Sequence, residues 1–276
     1  MIERKKLRLG LLGKDVSKSD SERIHIFILK QWGIDCEYER FSVDSDGLDW
    51  AMRRLLGDFD GFNITIPYKR DAMEYLDNIV GDAVEYSAVN TVLNATHTGY
   101  NTDGIGFLQM IRSVGMEYEN KKILVLGGGG SGRSTAAALK KGGAEVFMYQ
   151  RNRKKLEETC AQLGITAIEN PEAGGYDVII NCTGVGMHDT EGKSPVTAKA
   201  FCGAEAAIDL IYVPRKSEFL RLAEEQGIKI LNGASMLFFQ AYYADCLYLD
   251  RMPNEREVKE FYGKYEKEYL LTEETL

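Results

Sequence analysis

An α/β protein of two domains is what this sequence predicts, and three observations predict it. Short apolar runs alternate with helix-patterned segments along the first third of the chain and again along its middle, the order that builds parallel βαβ units. A glycine-rich run, GGGGSG at 127–132, directly follows the apolar stretch 123–126 and opens the second series. The length, 276 residues, suits two domains of ordinary size with a cleft available between them.

The elements follow in order. LRLGLLG (7–13) reads as a strand, SERIHIFILKQW (21–32) as a helix, CEYERFSV (36–43) as a strand, DGLDWAMRRLL (46–56) as a helix and GFNITI (61–66) as a strand. In AVNTVLNATHTGYNTD (88–103) the alternation is broken by NATHTG, which predicts a hairpin at the edge of that sheet. A helical pattern over 104–115 leads to the second series: strands at 123–126, 144–150, 164–168, 176–183, 206–212 and 228–231, with helices between. ASMLFFQAYYADCLYL (234–249) is apolar on more than one face, so it is expected between packed layers, and a polar helix from 254 completes the chain. No repeat or low-complexity linker interrupts it, which puts the domain junctions near 104 and 235.

Composition narrows the function. Hydrophobic residues make up 44% and charged ones 28%, the balance of a chain that buries a core. A formal net charge of −8 disfavours nucleic acid and anionic membrane as partners, so anion binding must be local. The five cysteines are odd in number and scattered, without a Cys-x-x-Cys pair, and the three histidines show no ligand spacing; reduced thiols and no metal site are expected. No signal peptide and no run of about 18 apolar residues is evident, so a cytoplasmic protein is expected.

Gly127, Gly129 and Gly132 satisfy G-x-G-x-x-G between a strand and the helix-like STAAALKK. Glycines permit the tight turn and the close backbone approach, and free N–H groups at the helix start favour a pyrophosphate; this is the Rossmann dinucleotide fingerprint. An NAD site places Asp or Glu about 20 residues on to hold the ribose 2′-OH. Here Tyr149-Gln150-Arg151-Asn152-Arg153-Lys154-Lys155 carries no carboxylate, and Arg151 can grip a 2′-phosphate, so NADP is the expected cofactor.

In the first domain Ser19 and Ser21 fall between the first strand and helix, where hydroxyls can hold a carboxylate, although Ser21 before Glu22 also suits a helix cap. A strand at 61–66 puts Asn63 and Thr65 on one face, and Pro67 stops it just before Lys69. Asn90-Thr91 and Asn101-Thr102-Asp103 add amides, hydroxyls and a carboxylate that a polyhydroxylated ligand would satisfy, or that simply build turns.

Together these residues resemble the shikimate dehydrogenase family over most of the chain. GFNITIPYK resembles G-x-N-V-T-x-P-x-K, AVNTV occurs as in the family, and GYNTDGIGF resembles G-x-N-T-D-x-x-G-F. NCTGVGM, DLIYVP and GASMLFFQA resemble N-A-T-x-x-G-M, D-x-x-Y-x-P and G-x-x-M-L-x-x-Q-A. The resemblance implies an N-terminal α/β substrate domain (1–103, with 236–276 returning to it) and a Rossmann-type NADP-binding domain (104–235). It implies interconversion of 3-dehydroshikimate and shikimate in aromatic amino-acid and chorismate biosynthesis, by a monomer or homodimer.

By the same resemblance Lys69 and Asp103 form the catalytic pair, and Asn63, Thr65, Asn90, Tyr212 and Gln240 surround the substrate, whose carboxylate Ser19 and Ser21 bind. Gly127, Gly129, Gly130, Gly132, Arg151 and Lys155 serve the cofactor, with Thr183, Gly233 and Met236 lining the nicotinamide; His25 matches the histidine after the serines. Two departures stand out. The family's His-Ser-x-Ser-Pro is Lys18-Ser19-Asp20-Ser21-Glu22 here, with Asp15 where proline is common, and Gln150-Arg151-Asn152 replaces Asn-Arg-Thr, with Lys155 where a second arginine is frequent. Acidic residues facing an anionic substrate would repel it. Quinate or an aminated shikimate analogue as substrate, and a non-catalytic NADP-binding regulator, are the alternatives.

Overall fold

The computed structural model describes residues 6–270. The chain divides into two compact units: one takes Met1–Gly106 and Leu237–Leu276, the other Phe107–Met236.

In the first unit β1 (Lys6–Gly13), α1 (Ser21–Gln31), β2 (Asp35–Ser42), α2 (Leu48–Asp58) and β3 (Gly61–Ile64) alternate as the sequence predicts. They are followed by β4 (Asn78–Ile79), a short helix α3 (Asp82–Tyr86), and the hairpin strands β5 (Thr91–Leu93) and β6 (Thr98–Tyr100). The sheet order is β2-β1-β3-β5-β6-β4; β1 runs parallel to β2 and β3, while β5 is antiparallel to both β3 and β6.

The hairpin therefore lies inside the sheet, not at its edge. The edge is β4, two residues long, and two residues show no period in a sequence. β3 also stops at Ile64, two residues short of the expected end. Its pairing with β5 ends at Asn63↔Thr91, although Thr65 N–H still donates to Leu12 O at 2.8 Å, while Thr65 O already accepts from Tyr68 N–H of the following turn at 3.0 Å.

α4 (Asp103–Ser113) begins in the first unit and carries the chain into the second. There β7 (Lys122–Leu126), α5 (Gly130–Lys141), β8 (Glu145–Tyr149), α6 (Arg153–Leu163), β9 (Thr166–Ala167), β10 (Val178–Asn181), β11 (Ala206–Asp209), α7 (Glu218–Glu225) and β12 (Lys229–Asn232) follow. All pair in parallel in the order β9-β8-β7-β10-β11-β12, the doubly wound order in which ligands sit beyond the carboxyl ends where the winding reverses, at β7 and β10. Leu124, Leu126, Ile179, Ala207, Phe201 and Phe219 form its core.

α8 (Ala234–Tyr248) returns to the first unit and α9 (Glu255–Tyr265) follows it. Phe238, Phe239, Ala241, Tyr242 and Ala244 on α8 are all fully buried, which is why its sequence shows no polar face. Its Asp245 accepts from or shares a proton with His25 of α1, Nδ1 to Oδ1 at 2.6 Å, with both residues fully buried and the imidazole stacked on Tyr38. His25 is thus a structural group shielded from water. Burial pushes the Asp245 carboxyl up, against the opposite pull of His25.

Where α4 meets α8 the approach is close: a Cβ on Gly106 would lie 2.8 Å from Gln240 N and Cβ and 3.0 Å from its Cα. Gly57 of α2 has open space instead. Gly106→Ala should therefore destabilise the protein by about 1–3 kcal/mol in urea unfolding, since backbone must separate, whereas Gly57→Ala should stabilise it by about 0.5–1 kcal/mol. Equal effects of the two would mean that the helix contact is slack.

Candidate active site

Four segments of the first unit converge on one buried pair. Lys69, in the turn after β3, reaches Asp103 at the start of α4 with Nζ 2.5 Å from Oδ2, and the two side chains are 8% and 6% exposed. The other carboxylate oxygen accepts from Asn90 Nδ2 at 2.7 Å. Backbone holds the lysine in turn, because Val89 N–H donates to Lys69 O at 2.7 Å.

Asn90 is the hub. Its Oδ1 accepts from Thr102 N–H at 2.8 Å and from Thr91 Oγ1 at 2.9 Å, and its Nδ2 also faces Thr102 Oγ1 at 3.0 Å and Gln240 Oε1 of α8 at 3.3 Å. Asn101 accepts from Asp103 N–H at 3.0 Å and donates to Ala88 O at 2.8 Å, which fixes the first turn of α4. Asn63 donates to Asn90 O and Thr91 Oγ1, both at 3.1 Å, and accepts from Tyr248 OH at 3.2 Å. Its N–H groups are occupied by protein, leaving an oxygen lone pair for a ligand. The structure thus joins Lys69, Asp103, Asn63, Asn90 and Gln240, with Thr91, Thr102 and Asn101, in one hydrogen-bonded cluster.

Ser19, Ser21 and Thr65 lie outside that bonded cluster, past the carboxyl ends of the neighbouring strands β1 and β3. Gly13 turns the chain against Thr65: a Cβ there would meet Thr65 Cγ2 at 2.5 Å, and Lys14 N–H donates to Ile66 O at 3.1 Å. Ser19 Oγ is 3.0 Å from Ser21 Oγ and accepts from Ser21 N–H at 3.3 Å. Ser21 is therefore not the helix cap; it is the first helical residue, and Asp20, before it, makes no side-chain cap bond.

The acidic departures of this loop are all engaged. Asp15 accepts from Ser17 N–H and Oγ at 3.1 and 2.6 Å, Asp20 pairs with Arg23 at 2.9 Å, and Glu22 pairs with Arg40 at 2.7 Å. Arg40 also donates to Ser17 O at 2.6 Å, so one guanidinium brackets the serine loop on both sides.

In the second unit the residues fit a dinucleotide phosphate. Gly127 has φ +101°, and a Cβ on Gly132 would fall 1.9 Å from Gly127 O, so the turn admits only glycine at these two positions. Gly129 precedes the first helical residue, Gly130, in the geometry that leaves N–H groups pointing outward. Arg151 and Lys155 are exposed beside the start of α6, where the Asn152 side chain caps Lys155 N–H at 3.0 Å. Arg153, by contrast, is held by Glu157 at 3.0 Å and Glu169 at 2.7 Å.

Thr183, Tyr212, Gly233 and Met236 follow β10, β11 and β12. Tyr212, expected with the substrate residues, thus belongs to the second unit. A Cβ on Gly233 would lie 2.3 Å from Leu210 O.

Behind these sits a carboxylate that sequence reasoning did not single out. Asp209, fully buried, accepts from Asn181 Nδ2 and Ile211 N–H at 3.0 Å each and from Ser217 Oγ at 2.5 Å. Asn181 in turn accepts from Thr183 N–H and Oγ1 at 3.0 and 2.7 Å. Their signal in the sequence was position: both end apolar strands of the parallel sheet, where polar residues meet ligand.

Comparison with known proteins points to one family. A family profile described as the substrate binding domain of shikimate dehydrogenase matches residues 11–92. The shikimate dehydrogenase (NADP(+)) of Clostridium botulinum Loch Maree is 36% identical over 243 residues, which cover 85% of this chain and 93% of that protein. That of Caldicellulosiruptor bescii is 37% identical over 257 residues, covering 88% and 89%. Among solved structures, shikimate 5-dehydrogenase from Thermus thermophilus in complex with NADP(H) and shikimate superposes with a TM-score of 0.84 at 33% identity, covering 92% of this chain and 98% of that one.

Burial pushes the Asp209 carboxyl from 3.8 up to about 6, against the opposing pull of Ser217, Ile211 and Asn181. The folded protein then holds this proton more tightly than the unfolded chain does. Folding stability assigned to the protonated form is present at low pH and is lost as pH rises from about 4 to about 6, by up to about 3 kcal/mol at 1.36 kcal/mol per unit. Asp209→Asn, neutral throughout, should remove that contribution and melt higher than the parent at pH 7; identical Tm-against-pH curves between pH 4 and 7 would refute the assignment.

Proposed function

Because the chain belongs to the shikimate dehydrogenase family, we propose that it catalyses the NADP-dependent interconversion of 3-dehydroshikimate and shikimate, with Lys69 and Asp103 as its proton-handling pair. The observation that carries this reading is the buried Lys69–Asp103 contact, hung on amides in a unit rich in hydroxyl and amide groups. Such a pair is costly to bury and has little to offer a fold by itself.

NADP, when bound, supplies the carbon that gives or takes the hydride. In the reducing direction the Lys69 ammonium stabilises negative charge developing on the ketone oxygen and delivers a proton to it, giving the alcohol; the lysine then regains a proton from solvent. Asp103 keeps the ammonium aimed. Ser19 and Ser21 hold the substrate carboxylate, and Asn63, Thr65, Asn90, Tyr212 and Gln240 bind ring hydroxyls or hold the groups that do. Gln240 has an N–H left for this, since only one is used, on Leu237 O at 2.9 Å. Gly127, Gly129, Gly130 and Gly132 admit the pyrophosphate, Arg151 and Lys155 take the 2′-phosphate, and Thr183, Gly233 and Met236 face the nicotinamide.

The direct test is formation of NADPH from NADP and purified protein with shikimate, run beside quinate and an aminated shikimate. Turnover of quinate alone would redirect the substrate assignment, and no turnover of any would favour a regulator.

Lys69→Ala should lower kcat by about 10²- to 10⁴-fold while leaving NADP affinity nearly unchanged. The Lys69→Ala, Asp103→Ala double variant should be far less impaired than the product of the single defects, because removing either partner already disables the transfer. Strictly multiplicative losses would separate the two residues.

Arg151→Ala should raise KM for NADP far more than KM for NAD; equal rises would reduce Arg151 to a surface charge.

A further inference from the structure

Hydrogen-bond bookkeeping around Thr183 fixes which kind of group it can bind. The amide of Asn181 has one possible orientation. Thr183 N–H, 3.0 Å from its Oδ1, can only donate, while Asp209 Oδ1 at 3.0 Å and Val185 O at 3.2 Å from its Nδ2 accept. Asp209 Oδ1 is itself locked as an acceptor by Ile211 N–H, which can only donate.

With its oxygen turned to Thr183, Asn181 takes the hydroxyl proton as well, Oγ1 to Oδ1 at 2.7 Å. Thr183 Oγ1 also accepts from Val185 N–H at 3.1 Å. A hydroxyl has one proton and two lone pairs. The proton and one lone pair are used, so what Thr183, a half-buried residue, offers is a single oxygen lone pair.

We propose that Thr183 is a hydrogen-bond acceptor of imposed polarity, set by Asn181 and Asp209, and that the donor it takes is the carboxamide N–H of the nicotinamide ring. This rests on the reading that Thr183 faces the nicotinamide, and it makes Thr183 a specificity residue for the carboxamide. Asn181 and Asp209 are positioning residues that act through it. A pyridine ring bearing a group without an N–H donor meets a bare lone pair there and binds less well.

The test compares dissociation constants, measured by titration calorimetry on the full chain, for NADP and for its 3-acetylpyridine analogue, which has a methyl group where NADP has the amide nitrogen. The parent protein should prefer NADP by about three- to tenfold, the worth of one neutral hydrogen bond. Thr183→Val should bring the ratio to near one, Thr183→Ser should keep it, and Asn181→Ala, which frees the hydroxyl to rotate, should lower it.

A general structural defect would weaken both ligands alike and leave the ratio in place, so a Thr183→Val protein with the parent's ratio overturns the proposal. So does a parent protein with no preference. Because binding is read without turnover, NADP preference without shikimate oxidation would remove the substrate assignment while leaving this inference standing. Failure to bind NADP would remove both.

Discussion

A lysine and an aspartate buried against each other are what the first unit is arranged around. Taking both charges out of water costs several kcal/mol, which the pair recovers only if geometry is good and the spare lone pairs are filled. Here the filling comes from separate parts of the chain: Asn90 from just before β5, the Asn101–Thr102 turn at the head of α4, and Gln240 from α8. An antiparallel hairpin inside the sheet is needed to bring Asn90 beside Asn63, and the close contact of α4 with α8 at Gly106 is needed to bring Gln240 within reach. Features that look like topology are in this sense conditions for keeping one ion pair satisfied.

The second unit solves a different problem with the same chemistry. Its parallel sheet ends in polar residues that would be unsatisfied if buried alone, and Asn181 and Asp209 satisfy each other at the ends of β10 and β11. Satisfaction there is directional. An oxygen that Ile211 N–H holds as an acceptor obliges the amide to donate to it, and the amide oxygen then takes the threonine's proton. The chemical character of the threonine oxygen is thus decided two residues back in the network, at a fully buried group.

What could be read in the sequence follows physical range. The alternation of strands and helices, the glycine turn, and the lack of a carboxylate near Arg151 are local patterns, and each corresponds to an element or surface in place. β4 and α3 were not legible, because two and five residues carry no usable period. Nor was the hairpin's interior place, since sheet order is set by pairing between segments and not by either segment alone. Among site residues, Lys69, Asp103, Asn63 and Asn90 stood out because amides and charges on a buried strand or turn are unusual. Tyr248, whose hydroxyl holds Asn63, did not: a tyrosine in an apolar helix reads as core until its partner is known. The sequence shows only that His25 lacks a ligand spacing, and its contact with Asp245, 220 positions away, makes it a structural group.

The serine loop shows how a chain of net charge −8 can keep its acidic side chains from dominating one stretch of surface. Local charge matters more than the total, because exposed charges beyond about 8–10 Å are largely screened at physiological salt. Three acidic side chains, Asp15, Asp20 and Glu22, flank the two serines, and each is directed at a donor of its own: the Ser17 N–H and hydroxyl, Arg23 and Arg40. Paired in this way they present far less negative potential than three free carboxylates would, and Arg40 adds stiffness by holding Ser17 O as well. The same economy holds at the head of α6, where Arg153 is neutralised by Glu157 and Glu169 while Arg151 stays exposed at the strand end. Excess acid on the chain is therefore compatible with local binding of an anion wherever each nearby acid has its own partner and a cation stays exposed.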